Sequence, residues 1–449
     1  MDEPTRSLAS RTRGQLIEAS DPDYHDARQM YNGLLDRRPR LIFRPTDMAD
    51  VVTAVRWADE QDLGIAIRGG GHSVAGHAMP DDAFVIDLSR WRGARVDPVG
   101  GTVEALGGSL LMDLDAATAG HGFAVPSGTF VDTGISGLTL GGGIGYLLPS
   151  AGFACDTLIG AQLVTADGRV VEVDAEREPD LLWALRGGGG NFGVVTRFRY
   201  RMTPVGRVYA GAILYGGDGV LDVLERLFRL DQEAPDELAL QAVARWSESE
   251  DAPELAVLVA WRGDEATGEA ATRELRMHPA RLQMNLRPMS WLELQARNTP
   301  RPFGWRHYWK GHLVREASPA LAAGVIAAVR GARGEDIVLL EMIHGAAHRI
   351  PSETAAFGGR LAAANVTALA TWAEPSEDAA HIAWARRGAA LVEPFSLTGG
   401  GYLNYPEVDQ SAARVAAAFG TESFDRLRRI KAAVDPANRF RYNANIPPA

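Results

Sequence analysis

The sequence predicts a mixed α+β protein built from two or three structural units. Three observations carry this. The chain has 449 residues, 46% of them apolar, enough to bury at least two cores. Near the N-terminus it reads as a strand, a helix and a second strand that runs into a block of glycines. From there to residue 392, short strand patterns and helical patterns follow one another, and no apolar run reaches the roughly 18 residues of a spanning helix.

Residues 23–38 have helical character, and Leu41-Ile42-Phe43 has that of a strand ended by Pro45. Asp47 is placed to cap a helix over 50–58, whose apolar residues recur at helical spacing. The strand 65–67 then leads into Arg68-Gly69-Gly70-Gly71-His72-Ser73. Three consecutive glycines strip one bend of side chains, so its backbone N–H groups can close around a large anion. Strands are expected over 84–88 and 102–105 and a helix over 109–120. Seven glycines then fall between residues 128 and 145. Such a segment is costly as a regular helix or central strand, so it is held either by packing or by close approach to a flat ligand. A hairpin follows, with strands over 159–165 and 170–173 about the turn Ala166-Asp167-Gly168. A helix over 180–186 leads into Gly187 and the strand 194–200. Gly188, Gly190 and Gly193 match G-x-G-x-x-G, but they follow a helix and open a strand, the reverse of a dinucleotide-binding fingerprint. Beyond residue 205, strands are expected over 209–215, 239–244, 255–261 and 337–343, and helices over 319–329 and 379–392.

Charge and cysteine content exclude several functions. A net charge of −11 with no basic patch argues against a nucleic-acid partner. The acidic start Met1-Asp2-Glu3 lacks the form of a signal peptide, so a soluble cytoplasmic protein is expected. Cys155 is the only cysteine, which removes intramolecular disulfides, Cys-based zinc sites and Cys-Cys redox pairs; any redox chemistry needs a cofactor. Cys155 itself reads as a small buried hydrophobe. The histidines show no metal-ligand spacing. Gly71-His72-Ser73-Val74-Ala75 approximates the nucleophile elbow of a serine hydrolase, but Gly76-His77-Ala78-Met79-Pro80 after it cannot be the helix that an elbow opens, so Ser73 is a poor nucleophile candidate.

The ordered series Arg68 to Ser73, Gly137-Leu138-Thr139-Leu140-Gly141-Gly142-Gly143-Ile144-Gly145, Asp156, Val164 to Gly168, Asp180 to Gly187 and Asn191-Phe192-Gly193-Val194-Val195-Thr196 resembles the berberine bridge enzyme-like FAD-linked oxidases of the vanillyl-alcohol oxidase superfamily. Gly399-Gly400-Gly401-Tyr402-Leu403-Asn404-Tyr405 resembles that family's Y-x-N-Y segment, and 435–448 its terminal segment. The resemblance implies a two-part PCMH-type FAD-binding domain over 1–205 (about 35–205), a substrate domain over 206–400 made of an antiparallel sheet covered by helices, and a segment 401–449 that returns to the FAD. It implies an oxidase that takes a hydride from a C–OH or C–N carbon of a small molecule and passes electrons to O2, giving H2O2. A dehydrogenase with another acceptor, or a flavin protein without turnover, are the alternatives.

The same resemblance suggests site residues. His72 would bind the flavin covalently, in a cradle of Ile67, Arg68, Gly69, Gly70, Gly71, Ser73, Gly76 and His77. Gly128, Asp132, Thr133, Gly134, Gly137, Thr139, Gly141, Gly142 and Gly145 would form its second wall, with Gly193, Val194, Val195, Asn443 and Asn445 beside them. Many relatives carry a second attachment cysteine where this chain has Phe130, so attachment would be single. Thr133 lies at the family's oxygen gate, where a small β-branched residue admits oxygen. Ile144 replaces a tyrosine common in plant members. Tyr402, Asn404 and Tyr405 would hold or remove the substrate proton, Tyr405 slightly favoured, with a phenol pKa lowered by the flavin and a cation. Strand alternation would put Tyr402 and Asn404 on one face and Tyr405 on the other. Tyr308, Lys310, His344 and Arg349 are further candidates for the substrate side.

Overall fold

The computed structural model describes residues 2–298 and 303–449. Three sheets carry most of the α+β chain. In the first, the strands Gln15–Glu18, Leu41–Arg44, Phe84–Asp87 and Ile65–Arg68 lie in that order, the last three mutually parallel. The expected strand–helix–strand unit is present, but Phe84–Asp87 separates its two strands. Its helix, Met48–Glu60, starts where the Asp47 side chain accepts from the Asp50 N–H, and it turns Val51, Ala54, Val55 and Ala58 onto Phe43, Phe84 and Ile86.

The second sheet orders Ala94–Asp97, Thr102–Leu106, Val194–Arg201, Leu158–Val164 and Val170–Asp174, all antiparallel. The helix Pro179–Leu185 buries Leu181, Leu182, Trp183 and Leu185 in the core shared with this sheet. The C-terminal helix Thr421–Val434 adds Leu427 to the same core. The chain after it returns to the first sheet, where the Ile65 N–H donates to the Arg439 carbonyl at 2.8 Å. A buried ammonium fixes that return: Lys431, 0% exposed, donates to Asp435 Oδ2 at 2.6 Å, to the Asn191 carbonyl at 2.7 Å and to the Phe440 carbonyl at 3.0 Å. All three of its protons are used, as burial of a charge requires.

The third sheet is antiparallel, ordered Arg281–Met284, Val208–Gly216, Ala252–Trp261, Leu238–Ser247, Ile337–Met342, Ala364–Trp372 and Arg306–Val314, with Arg287–Met289 also paired to Val208–Gly216. Alternate residues face opposite ways. Ala242, Ala244, Val257, Val338, Leu340, Val366 and Ala368 pack under the helices Val220–Gln232, Pro319–Val329 and Asp378–Val392. Their neighbours in sequence face away from those helices. No helix among the described residues is long and apolar enough to cross a membrane.

Three local expectations fail. Of the helix expected over 23–38, only Tyr24–Ala27 forms. Asn32 competes with helix formation: its Nδ2 donates to the Val74 and His307 carbonyls at 2.7 and 2.9 Å, and its Oδ1 accepts from the His307 and Leu34 N–H groups. The glycine-rich stretch does contain a regular helix, Ile135–Leu140, because its apolar Ile135 and Leu140 are buried and only Gly137 lies inside it. Residues 402–405 form a turn and no strand; the Tyr405 N–H donates to the Tyr402 carbonyl at 2.9 Å. Alternation therefore does not separate the two tyrosines, whose ring centroids are 5.1 Å apart.

Replacing Lys431 by Ala leaves Asp435 buried without its counter-charge. A loss of roughly 3–5 kcal/mol in unfolding free energy is expected in urea titrations, and a loss under about 1 kcal/mol would show that the ammonium does not hold the C-terminal return.

Candidate active site

One cavity of about 780 Å³ opens between the glycine segments, the 402–405 turn and the uncovered face of the third sheet. Its first wall is the bend after Ile65–Arg68. Gly71 has φ +71°, a left-handed conformation that suits glycine, and the chain beyond it presents His72 and Ser73 to the cavity. Its second wall is Gly128 to Gly141. The two walls meet backbone to backbone, since a Cβ on Gly70 would lie 2.5 Å from the Gly134 nitrogen. Elsewhere the glycines serve packing as much as an open wall: a Cβ on Gly145 would lie 2.1 Å from the Ser127 carbonyl, whereas one on Gly137 would meet nothing.

The His72 ring stacks on Tyr31 at 4.0 Å, and Tyr31 stacks on His307 at 4.4 Å. His72 Nε2 approaches Asp132 Oδ1 to 3.5 Å. Neither atom has a hydrogen bond, and the same is true of the buried Ser73 Oγ, Asn443 Oδ1 and Asn445 Oδ1. Phe130 sits near His72, ring centroids 6.4 Å apart. Burial pushes the His77 imidazole down to about 4, so it is neutral at ordinary pH.

Among the other residues expected here, Ile67, Gly69, Gly70, Gly71, Gly128, Thr133, Gly134, Gly137, Gly141, Gly193, Val195 and Asn443 border the cavity. Arg68, Gly76, Thr139, Gly142, Gly145 and Val194 stand behind the wall. Arg68 donates to the Ala27 carbonyl, Thr139 bonds the Tyr200 hydroxyl at 2.9 Å, and Val194 lies in the first sheet's core.

The three residues of the 402–405 turn have distinct surroundings. The Tyr402 hydroxyl accepts from the Gly143 N–H at 2.8 Å and from Asn404 Nδ2 at 3.0 Å. Asn404 also donates to the Leu138 carbonyl at 2.8 Å, so it clamps the helix Ile135–Leu140. The Tyr405 hydroxyl donates to Glu341 Oε1 at 3.0 Å, and Glu341 Oε2 accepts from Asn365 Nδ2 at 2.8 Å. Burial raises the Glu341 carboxyl to about 7. The Tyr405 phenol is raised well above its ordinary value, first by burial and then by the charges of Glu341 and Tyr402. The expected lowering by a cation is not seen; the group beside Tyr405 is an acid.

Glu341 is not among the residues the sequence points to; it is the single acid of the otherwise apolar strand Ile337–Met342. Tyr31 was hidden in the expected helix. Trp309, edge-on to Tyr405 at 5.3 Å, lay in a suspected stretch, but its neighbours Tyr308 and Lys310 point the other way. Tyr308 donates to Asp409 Oδ1 at 2.9 Å, and Lys310 pairs with Glu407. His344 lies against the Leu238 carbonyl at 3.0 Å and Arg349 pairs with Asp236, so none of these four is at the cavity.

A family model described as FAD binding domain matches residues 39–174, and one described as berberine and berberine like matches residues 401–447. The chain is 29% identical to (R)-6-hydroxynicotine oxidase of Paenarthrobacter nicotinovorans, over 97% of each chain. It superposes on the crystal structure of 6-hydroxy-D-nicotine oxidase from Arthrobacter nicotinovorans with a TM-score of 0.88, at 28% identity and 98% coverage of both chains. The fold is shared equally with Phl p 4, a grass pollen allergen with glucose dehydrogenase activity, at TM-score 0.88 and 23% identity, covering 100% of both chains.

Glu341 makes stability depend on pH. The native carboxyl is raised from 4.5 to about 7, so the folded state binds its proton more tightly than the unfolded state. Unfolding free energy therefore falls as pH rises through that window, by up to roughly 3 kcal/mol from this group. Glu341→Gln removes the titration, and the stability of wild type minus variant should decline between about pH 5 and about pH 8 in denaturant titrations. A difference flat with pH would mean that Glu341 titrates as an exposed acid.

Proposed function

Since the chain belongs to the berberine bridge enzyme-like FAD-linked oxidoreductases, we propose that it is an oxidase that removes a hydride from a C–OH or C–N carbon of a small organic molecule and delivers the electrons to O2 as H2O2. The observation that carries this reading is that a glycine cradle with unbonded polar atoms opens on the same cavity as Tyr405, whose hydroxyl is backed by the buried Glu341. FAD suits the residues present. The cradle offers backbone N–H groups for a pyrophosphate, and Ser73, Asn443 and Asn445 have buried side-chain oxygens with no hydrogen bond. We take residues 1–205 and 401–449 as the part that holds it and 206–400 as the part that meets the substrate.

The flavin, when bound, supplies a two-electron hydride acceptor. His72 would anchor it through the imidazole, with Asp132, 3.5 Å from Nε2, placed to take the proton that the ring gives up. Tyr31 holds the ring of His72 flat by stacking. Attachment would be single, because Phe130 stands near His72 and the lone Cys155 is buried elsewhere. Tyr405 would take the proton of the substrate hydroxyl or amine while its own passes to Glu341, whose carboxyl titrates at about 7. Tyr402 and Asn404, tied to Gly143 and Leu138, are positioning residues in this reading. Thr133 on the second wall supports oxygen as the acceptor.

Two measurements test this. Acid precipitation of the purified protein should leave the yellow chromophore on the chain, and His72→Ala should release it; a chromophore that leaves the wild type freely would sink the covalent linkage. With a substrate in hand, one H2O2 per turnover is expected, and Tyr405→Phe should lower kcat by about 100-fold or more with flavin content unchanged. Turnover without peroxide would identify a dehydrogenase, and an unaffected Tyr405→Phe would remove Tyr405 from proton transfer.

A further inference from the structure

Resting on the oxidoreductase reading above, we infer that the substrate is an apolar, ring-built alcohol and that the site is not built for a sugar. The third sheet carries the argument. Leu214, Ala256, Val243 and Leu339 stand opposite one another on four adjacent strands. They face away from the helix-covered core and border the cavity, each half-buried. Three inter-strand gaps make this row roughly 14 Å wide, the span of a molecule of two or three rings. Two residues further along the strands, Ile337, Leu369 and Trp309 form a second apolar row in register. Half-exposed Leu, Ile and Val on an inner wall, continuous with the proposed reaction centre, select an apolar ligand.

Beyond the apolar rows, on the side of the 402–405 turn, the sheet face becomes polar. The row on the inner side of Leu339 is Gln241, Glu341 and Asn365, and there Tyr405 meets Glu341. A molecule lying on the apolar rows can thus present one hydroxyl to the acid–phenol pair. A sugar needs partners for hydroxyls all round its ring, and polar side chains bordering the cavity are already engaged. Arg245 donates to Glu254 at 2.6 Å, Arg297 to Asn285 at 3.1 Å and Asn298 to the Thr129 carbonyl at 3.2 Å. Buried hydroxyls without partners select against such a ligand. The built proton acceptor favours an alcohol, whose O–H must be deprotonated as its carbon is oxidised.

The test compares binding of acenaphthenol, a three-ring secondary alcohol, with that of glucose and xylobiose to the purified holoprotein by calorimetry, alongside anaerobic loss of visible absorbance. Acenaphthenol should bind about 100-fold more tightly than either sugar, and Leu339→Asn should weaken it about tenfold or more with bound chromophore unchanged. A sugar that binds as tightly, or a Leu339→Asn variant with unaltered acenaphthenol binding, overturns the proposal. Tight binding without bleaching in a protein that carries flavin overturns the alcohol assignment. A protein that carries no flavin overturns the oxidoreductase reading instead, and the binding comparison still decides whether the wall selects rings over sugars.

Discussion

The contact between Gly70 and Gly134 is the constraint on which the site depends. Their backbones are too close for any Cβ on either residue. Because no side chain comes between them, the bend after Ile65–Arg68 and the start of Ile135–Leu140 form two walls of one cleft. The consequences propagate by further close contacts. Asn404 bonds the Leu138 carbonyl and fills the space that a Cβ on Gly141 would take. Tyr402 closes on the Gly143 N–H, and the turn between these residues delivers Tyr405 to Glu341. A chain separation of more than 250 residues is thus bridged by two hydrogen bonds and by the approach of Asn404 to Gly141, which leaves no room for a Cβ.

The third sheet supplies the other half of the cavity by a different rule. Period-two alternation gives it two chemically distinct faces. One is apolar and sealed by three helices, as any sheet on a helical layer must be. The other is apolar only along its middle rows and becomes acidic and amide-bearing where it nears the 402–405 turn. Burying Glu341 there is costly as a charge, which is why its carboxyl sits near neutrality. The same burial that lowers stability above that pH gives the group a pKa useful for proton transfer at ordinary pH.

The elements legible in the sequence are those whose signal is local. Asp47 as a helix cap, the alternating strands of the third sheet, and the glycine block before His72 follow from side-chain size and spacing over a few residues. What could not be read depends on partners distant in the chain. Asn32 breaks the expected helix because His307 and Val74 offer its amide better bonds than a helix would, and nothing near Asn32 reports this. Tyr402 and Tyr405 share a side because a turn replaces the strand assumed between them. Glu341 carries no local signal, because its pairing with Tyr405 and Asn365 spans 64 and 24 residues. In the glycine-rich wall some glycines answer to protein packing, while Gly137 leaves the wall open.

Buried polar atoms without a hydrogen bond occur in several parts of the described structure, and one group of them gathers at the cradle. Lys431, the most deeply buried cation among the described residues, has every proton bonded, whereas Arg360 pairs with Asp156 at 2.9 Å but leaves its Nε without a partner. Around the cradle, buried polar atoms on His72, Ser73, Asp132, Asn443 and Asn445 have no hydrogen bond. Each such atom costs roughly 1–3 kcal/mol if nothing pairs with it. A fold tolerates that cluster only because the surrounding sheets and the C-terminal return hold it in place. A ligand that satisfies these atoms recovers the cost on binding, so cofactor affinity and protein stability are linked through the same few side chains.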